Sequence, residues 1–259
     1  MKHAALLLIA LMFTSAGQAG DPEFEKVMGC MRASVPPTLQ AENFQIESTD
    51  RAGATRSLQG KFYAKRVGDK LRVKLYITGP ISVAKASYLV VEKKAISEDD
   101  MYVFLPSVNR VRHVTGAFAN GSLLGTDFSY AEVKEISNAF SGAGGKIEGV
   151  EKMDGHDVTI MSLKPLPAQK SPYSSVRAWV DQKSCFVVKA EFSTGTTVRK
   201  RLTVPFDRIK QSGKFWYLSQ ISMEDLVKGT HTVMYLDGVD STRDIPSSHF
   251  NPTTFHLGH

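Results

Sequence analysis

Cysteine is scarce. Cys30 and Cys185 are the only two in 259 residues, too few for a disulfide-stapled framework, and the absence of C-x-x-C spacing argues against thioredoxin-like redox chemistry. Paired histidines are missing as well: there is no H-x-x-x-H or H-E-x-x-H to hold a catalytic zinc. No G-x-S-x-G elbow ties a serine to a base. Gly-Ala-Gly-Gly at 142–145 lacks the Lys-Ser/Thr that completes a phosphate loop. No block of like charge occurs: 32 Lys+Arg stand against 26 Asp+Glu, a net +6. That mild excess suits an anionic membrane surface or headgroup and falls short of a nucleic-acid-binding signature. No catalytic constellation rises above background, so the chain reads as a non-enzyme with no cofactor and no resident metal. The histidines of the tail, His249, His256 and His259, read as solvated, and Asp237 and Asp240 as flanking a turn.

Long apolar runs are missing too, with one exception. After Met1-Lys2-His3, the stretch Ala4–Phe13 is unbroken, too short to span a bilayer as a helix. Small residues follow at Gly17-Gln18-Ala19, the pattern of a secretory signal peptide cut near Ala19. Residues 1–19 are therefore set apart, and 20–259 are expected to form a single exported domain, in the periplasm if the source is a Gram-negative bacterium. Val27-Met28-Gly29-Cys30 looks like a lipid-attachment motif, but charged residues at 21–26 separate it from the apolar run. In an oxidising compartment Cys30 and Cys185 either form one disulfide or remain two separate buried thiols; the sequence leaves both open.

What is present is mostly strand. Pro22–Ser34 is predicted as an amphipathic helix, with Asp21 as N-cap and Pro36-Pro37 ending it. Thereafter the apolar period changes to two. Leu71, Val73, Leu75 and Ile77 alternate on one face, and similar alternation marks 158–162, 176–181 and 198–206. Turn signals at short intervals (Gly68-Asp69, Asp154-Gly155, 182–184, 211–213, Asp237-Gly238) argue for an antiparallel meander of about ten or eleven strands. Two regions interrupt it: the Gly/Ser/Asn-rich 117–145, with a short helix predicted over Asp127–Ile136, and the proline-bearing 164–173. The fold class is mainly β with a few helices. So large a sheet with so little to cover it must curl around an interior, filled by side chains or by an apolar molecule.

One segment carries a recognisable pattern. Tyr102-Val-Phe-Leu-Pro106 is followed by Arg110-Val-Arg112, a small-residue stretch, and Gly125-Thr-Asp-Phe-Ser-Tyr130. Trp179-Val-Asp181 precedes Val188-Lys-Ala-Glu-Phe192, and Phe206-Asp-Arg-Ile-Lys210 precedes Gly213-Lys-Phe-Trp216. With Ile245-Pro246 to Phe250 and Phe255, these resemble the LolA-like outer-membrane lipoprotein-sorting family, in the branch often found with RND-type exporters. Cys185 departs from that pattern, so the resemblance implies nothing about its pairing.

The resemblance implies an incomplete antiparallel β-barrel capped by helices around an apolar cavity. It implies a monomeric periplasmic carrier that takes acyl chains of a lipid or lipoprotein towards an outer-membrane acceptor. Alternatives are a binding partner of an inner-membrane RND-type exporter for a hydrophobic metabolite, or a non-catalytic surface protein. On this reading residues 117–136 form a lid whose Phe118, Leu123, Leu124, Phe128 and Tyr130 face the cavity, with ordinary core packing as the alternative for the same residues. Arg110 and Arg112 meet an anionic headgroup or tie the lid through Asp127, or else lie on a solvated strand face.

Overall fold

A computed structural model describes residues 21–68, 70–93, 100–137, 140, 144–165 and 171–258. The predicted signal peptide lies outside them, as do 138–139, 141–143 and 166–170 of the two interrupting segments.

Alternation builds the sheet. In β3 (Lys70–Gly79), Leu71, Val73, Leu75 and Ile77 are all buried in the main core, as a two-residue side-chain period requires. The preceding strands are β1 (Thr38–Thr49) and β2 (Thr55–Val67); β4 (Ser87–Val91), β5 (Asp100–Leu105) and β6 (Arg110–His113) continue the meander. A second meander runs through β7 (Gly144–Met153), β8 (His156–Lys164), β9 (Ser175–Asp181), β10 (Val187–Thr194) and β11 (Thr197–Thr203) to β14 (Gln220–Asp225) and β15 (Thr230–Asp240). The two wings join where β1 pairs with β15, giving one 13-stranded antiparallel sheet in the order β6-β5-β4-β3-β2-β1-β15-β14-β11-β10-β9-β8-β7. A separate hairpin, β12 (Ile209–Ser212) and β13 (Phe215–Leu218), hangs between β11 and β14.

More strands form than the alternation predicts. The surplus includes β6, β12 and β13, each of four residues, too short for a period of two to register. Asp237-Gly238 is not a turn. Gly238 takes φ 61° inside β15, where the register with β1 is kept from Asn43↔Asp237 to Ala41↔Val239 and only the pair between them is missing. A left-handed glycine absorbs such an irregularity while the strand continues. Phe206 lies in a 3-10 turn rather than a strand.

The sheet is open. Its edge strands, β6 and β7, are consecutive in the chain, so the connection after β6 must travel from one edge to the other. The helix α1 (Pro22–Ser34) covers the inner face, with Phe24, Met28 and Met31 buried. Asp21 caps it by accepting from Glu23 N–H at 3.1 Å, and a Cys30–Cys185 disulfide, Cα atoms 5.8 Å apart, fastens it to the β9–β10 turn.

The outer face is also covered in part. Tyr63, Leu89 and Phe104 point away from the main core and pack against Ile245, Phe250 and Phe255 of the C-terminal segment. The tail histidines are therefore not solvated: His249 packs on Tyr63 with rings 4.8 Å apart, and His256 stacks on Phe104 at 4.2 Å. His259 lies outside the described residues. Lys74 is caught on this face. It is fully buried, with its ammonium 5.4 Å from the Tyr63 ring and 5.5 Å from the Tyr76 ring. It has no hydrogen-bond partner among the described residues, and burial pushes its pKa down to about 8.

Candidate functional site: an apolar pocket and its strut

Side chains do not quite fill the inner face. A pocket of about 130 Å³ remains. Its floor is Phe44 of β1, Phe62 and Ala64 of β2, Leu71 and Leu75 of β3, and Met234 and Leu236 of β15. Its walls are Val35 and Pro36 after α1, Val133 and Ile136, and Tyr217 and Leu218 of the β12–β13 hairpin. A smaller space of about 50 Å³ adjoins it through Val35, Ile136, Phe186, Leu218 and Ile221 and reaches Cys185 of the disulfide. The floor follows from strand alternation, and Ile136 and Val133 follow from the apolar side of a helix. The hairpin contribution is invisible in the sequence, because its strands are too short to advertise which side faces in.

The segment crossing from β6 to β7 is a strut rather than a loose flap. Ser122 pairs with Ser129, and the turn between them carries φ 52° at Leu124 and 78° at Gly125. Two consecutive positive φ values are the mark of a type I′ hairpin turn, and Thr126 N–H closes it on Leu123 O at 3.0 Å. The helix α2 (Tyr130–Ser137) then starts three residues later than predicted. Ser129 fixes that start: Glu132 N–H donates to Ser129 Oγ at 3.1 Å, and Ser129 N–H donates to Glu132 Oε2 at 2.7 Å. This is a reciprocal capping box, readable in the sequence as Ser-x-x-Glu.

Of the five residues assigned to a lid, Phe128 lines the pocket. Leu123 and Tyr130 are buried in the core beside it. Phe118 is half exposed and stacks on Tyr130, rings 5.8 Å apart. Leu124 packs against the core from the strained turn. Arg110 and Arg112 are both exposed on β6, a solvated strand edge.

Asp127 is buried and engaged elsewhere. Its carboxylate accepts from the hydroxyls of Thr230 and Thr232 on β15, the latter at 2.8 Å. The guanidinium that reaches the strut belongs to Arg56, which donates to Gly125 O. Lys200 Nζ donates to Asp127 O at 2.6 Å and to both Glu132 oxygens at 3.0 Å. The Tyr173 hydroxyl also donates to Glu132, and burial together with that carboxylate pushes the Tyr173 phenol far above its ordinary range. One turn on, Glu135 is raised to about 7 by burial, with Lys134 opposing and Glu132 adding to the shift.

A separate polar groove of about 750 Å³ shares Phe44, Tyr217 and Leu236 with the pocket, but its Asn43, Gln45, Lys61, Tyr235 and Asp237 alternate with the pocket floor and belong to the other face of the sheet. The pocket itself offers apolar contact. Among the described residues no group of three or more His, Cys, Asp or Glu is placed to hold a metal. No helix among them is long and apolar enough to cross a membrane.

Comparison with known proteins bears on the fold. A family model described as that of an uncharacterized protein matches residues 70–256. A solved DUF1329 family protein from Desulfovibrio piger superposes with TM-score 0.82 at 20% identity, over 90% of this chain and 99% of that one. A protein domain from Vibrio parahaemolyticus, assigned to outer membrane lipoprotein sorting, gives 0.78 at 18% identity over 90% and 97%. A LolA superfamily protein from Nitrosomonas europaea gives 0.68 at 19% identity over 88% and 96%. No curated protein matches the chain.

Proposed function

This chain belongs to the DUF1329 family and is folded as the LolA superfamily is, and from that premise we propose that it is a periplasmic carrier of an acyl chain belonging to a lipid or lipoprotein. The observation that carries this reading is the pocket: a nearly all-apolar space on the inner face of an open sheet, bounded by α2 and the β12–β13 hairpin. Empty apolar space gives up dispersion contacts, and an acyl chain restores them without any reacting group.

Size sets the terms of binding. A space of about 130 Å³ is close to the engineered 150 Å³ cavity that accepts benzene. It holds roughly six carbons, which at about 0.8 kcal/mol per CH₂ contribute about 5 kcal/mol. Alone, that corresponds to binding near a tenth of a millimolar. Tighter capture needs a wider opening or contacts outside the pocket. Weak retention also suits a carrier that must release its cargo.

Native mass spectrometry of the chain, gently extracted from a bacterial periplasm, is expected to show an acyl-bearing adduct. Ile136→Trp, which fills the pocket from α2, is expected to lower uptake of a 14-carbon fatty acid at least tenfold with an unchanged circular dichroism spectrum. Absence of both the adduct and any fatty-acid uptake by the unaltered chain would overturn the carrier reading.

A further inference from the structure

We propose that one rim of the sheet docks on an anionic lipid surface, entering the headgroup layer with the apolar tips of its hairpin turns while arginine and lysine side chains beside them meet lipid phosphates. None of these turn residues lines the pocket, so the proposal does not depend on what the pocket holds.

Topology gathers the turns. In the order β6-β5-β4-β3-β2-β1-β15-β14, the connections at 106–109, 80–86, 50–54 and 226–229 follow one another along a single rim. The registers fix this. Leu105 pairs with Arg110, Ser87 with Phe104, Gln59 with Gly79, Thr49 with both Thr55 and His231, and Asp225 with Thr230. Each turn therefore stands two strands from the next, about 10 Å away.

Three of the four turns hold apolar side chains in solvent. Ile81 is 95% exposed, Val227 54% and Val108 46%, and Leu226 stands beside Val227. A lone exposed hydrophobic is ordinary on any surface. Here four of the eight large exposed ones among the described residues occupy turns of one rim. The turn at 80–86 is pinned: Val83 N–H donates to Pro80 O at 3.0 Å, Lys85 N–H donates to Ile77 O at 2.7 Å, and Val83 packs against the core. Tips on separate turns make no continuous apolar core of the kind a protein partner packs against. A headgroup layer needs none, since binding there grows with the apolar area inserted and with attraction to anionic lipid.

Charge selects the anionic surface. The four turns and the strand residues flanking them hold four cations, Arg51, Lys85, Arg110 and Lys228, against two carboxylates, Asp50 and Asp225. Arg51, Lys85 and Arg110 are exposed and make no ion pair among the described residues. Arg51 passes close to Gly229 of the adjoining turn. Both carboxylates are engaged within their own turns. Asp50 accepts from Ala52 and Ala54 N–H at 2.8 and 3.0 Å. Buried Asp225 accepts from Val227 and Lys228 N–H and pairs with the Lys228 ammonium at 2.9 Å. Unpaired cations beside inserted apolar tips are what an anionic interface holds.

The experiment is flotation of residues 20–259 with vesicles of phosphatidylethanolamine and phosphatidylglycerol, set against vesicles of phosphatidylcholine alone. Binding to the anionic vesicles is expected to be at least about tenfold tighter and to weaken as salt rises. Ile81→Ser with Val227→Ser, which leaves charge unchanged, is expected to weaken it about tenfold. Arg51→Gln with Lys85→Gln is expected to do at least as much, since each cation near such a surface contributes about fivefold. All four side chains are exposed, so the fold is retained, as circular dichroism checks. Val67→Ser with Val150→Ser, exposed on the opposite rim and on the edge strand β7, is expected to change nothing. Failure of the unaltered chain to float with anionic vesicles overturns the proposal, as does equal flotation with neutral ones. Undiminished flotation of both rim pairs, or equal losses in rim and control variants, overturns it too. Fatty-acid uptake by the rim variants is expected to match that of the unaltered chain, so vesicle binding fails without touching the carrier reading, and absent uptake sinks that reading alone.

Discussion

Lys74 shows how far a single residue follows from the sequence. Alternation in β3 puts it opposite Leu75, on the outer face, where a lysine is ordinarily solvated. The outer face there is covered by the C-terminal segment, whose Phe250 and Phe255 cluster with Tyr63 and whose His256 lies near enough to feel the Lys74 charge, and no local pattern reports a cover so remote. The consequence for stability can be signed. Its folded pKa, about 8, lies below the ordinary 10.5, so the unfolded state holds the extra proton between those values and stability rises with pH across that window. Below about pH 8 the native state buries the charge and bears the whole penalty, about 3 kcal/mol. Lys74→Met is therefore expected to raise the urea midpoint at pH 7 and to abolish the rise between pH 8 and 10.5. Glu135 runs the other way. With its carboxyl raised to about 7 from 4.5, the native state holds the extra proton, and stability falls as pH climbs from 4.5 to 7. Glu135→Gln is expected to flatten that fall in pH-dependent thermal melts, leaving the variant the more stable protein above pH 7.

Among the elements, α1 was fully legible, because a capping aspartate, a first-turn proline and a terminating Pro-Pro speak with one voice. The strut was not. Its glycines and serines suggest a mobile lid, but Asp127 and Glu132 spend their polar groups on β11 and β15, partners that only the assembled sheet supplies. Glu132→Ala would strand the half-buried ammonium of Lys200. Breaking one side of such a pair costs about 3–5 kcal/mol, and the paired change Glu132→Met with Lys200→Met is expected to recover most of it, as measured by chemical denaturation. Hydrogen exchange should accelerate first in residues 122–136 of the single variant. The disulfide bears on a different element. It spans a separation of 155 residues, for which the chain-entropy account gives about 5 kcal/mol. Cys30→Ser with Cys185→Ser is expected to lose up to that amount in a urea titration while α1 stays docked through Phe24, Met28 and Met31.

For the molecule as a whole, the antiparallel meander follows from alternation and turn spacing, and its unclosed, helix-covered form from the family resemblance, whereas the lining of the pocket follows from neither, since an unfilled volume belongs to no residue. The order of strands has its own consequence. Every pairing within a wing joins strands close in sequence, while the seam at the middle of the sheet brings Gln45 to Tyr235 and Thr49 to His231. Loop-closure entropy opposes that junction most, and contacts so distant slow folding. Each wing can gather early as a local meander; the centre of the finished sheet is then the last part to form. Substitutions confined to the β1–β15 seam should accordingly speed unfolding and leave the refolding rate nearly unchanged, the kinetic mark of contacts absent from the transition state.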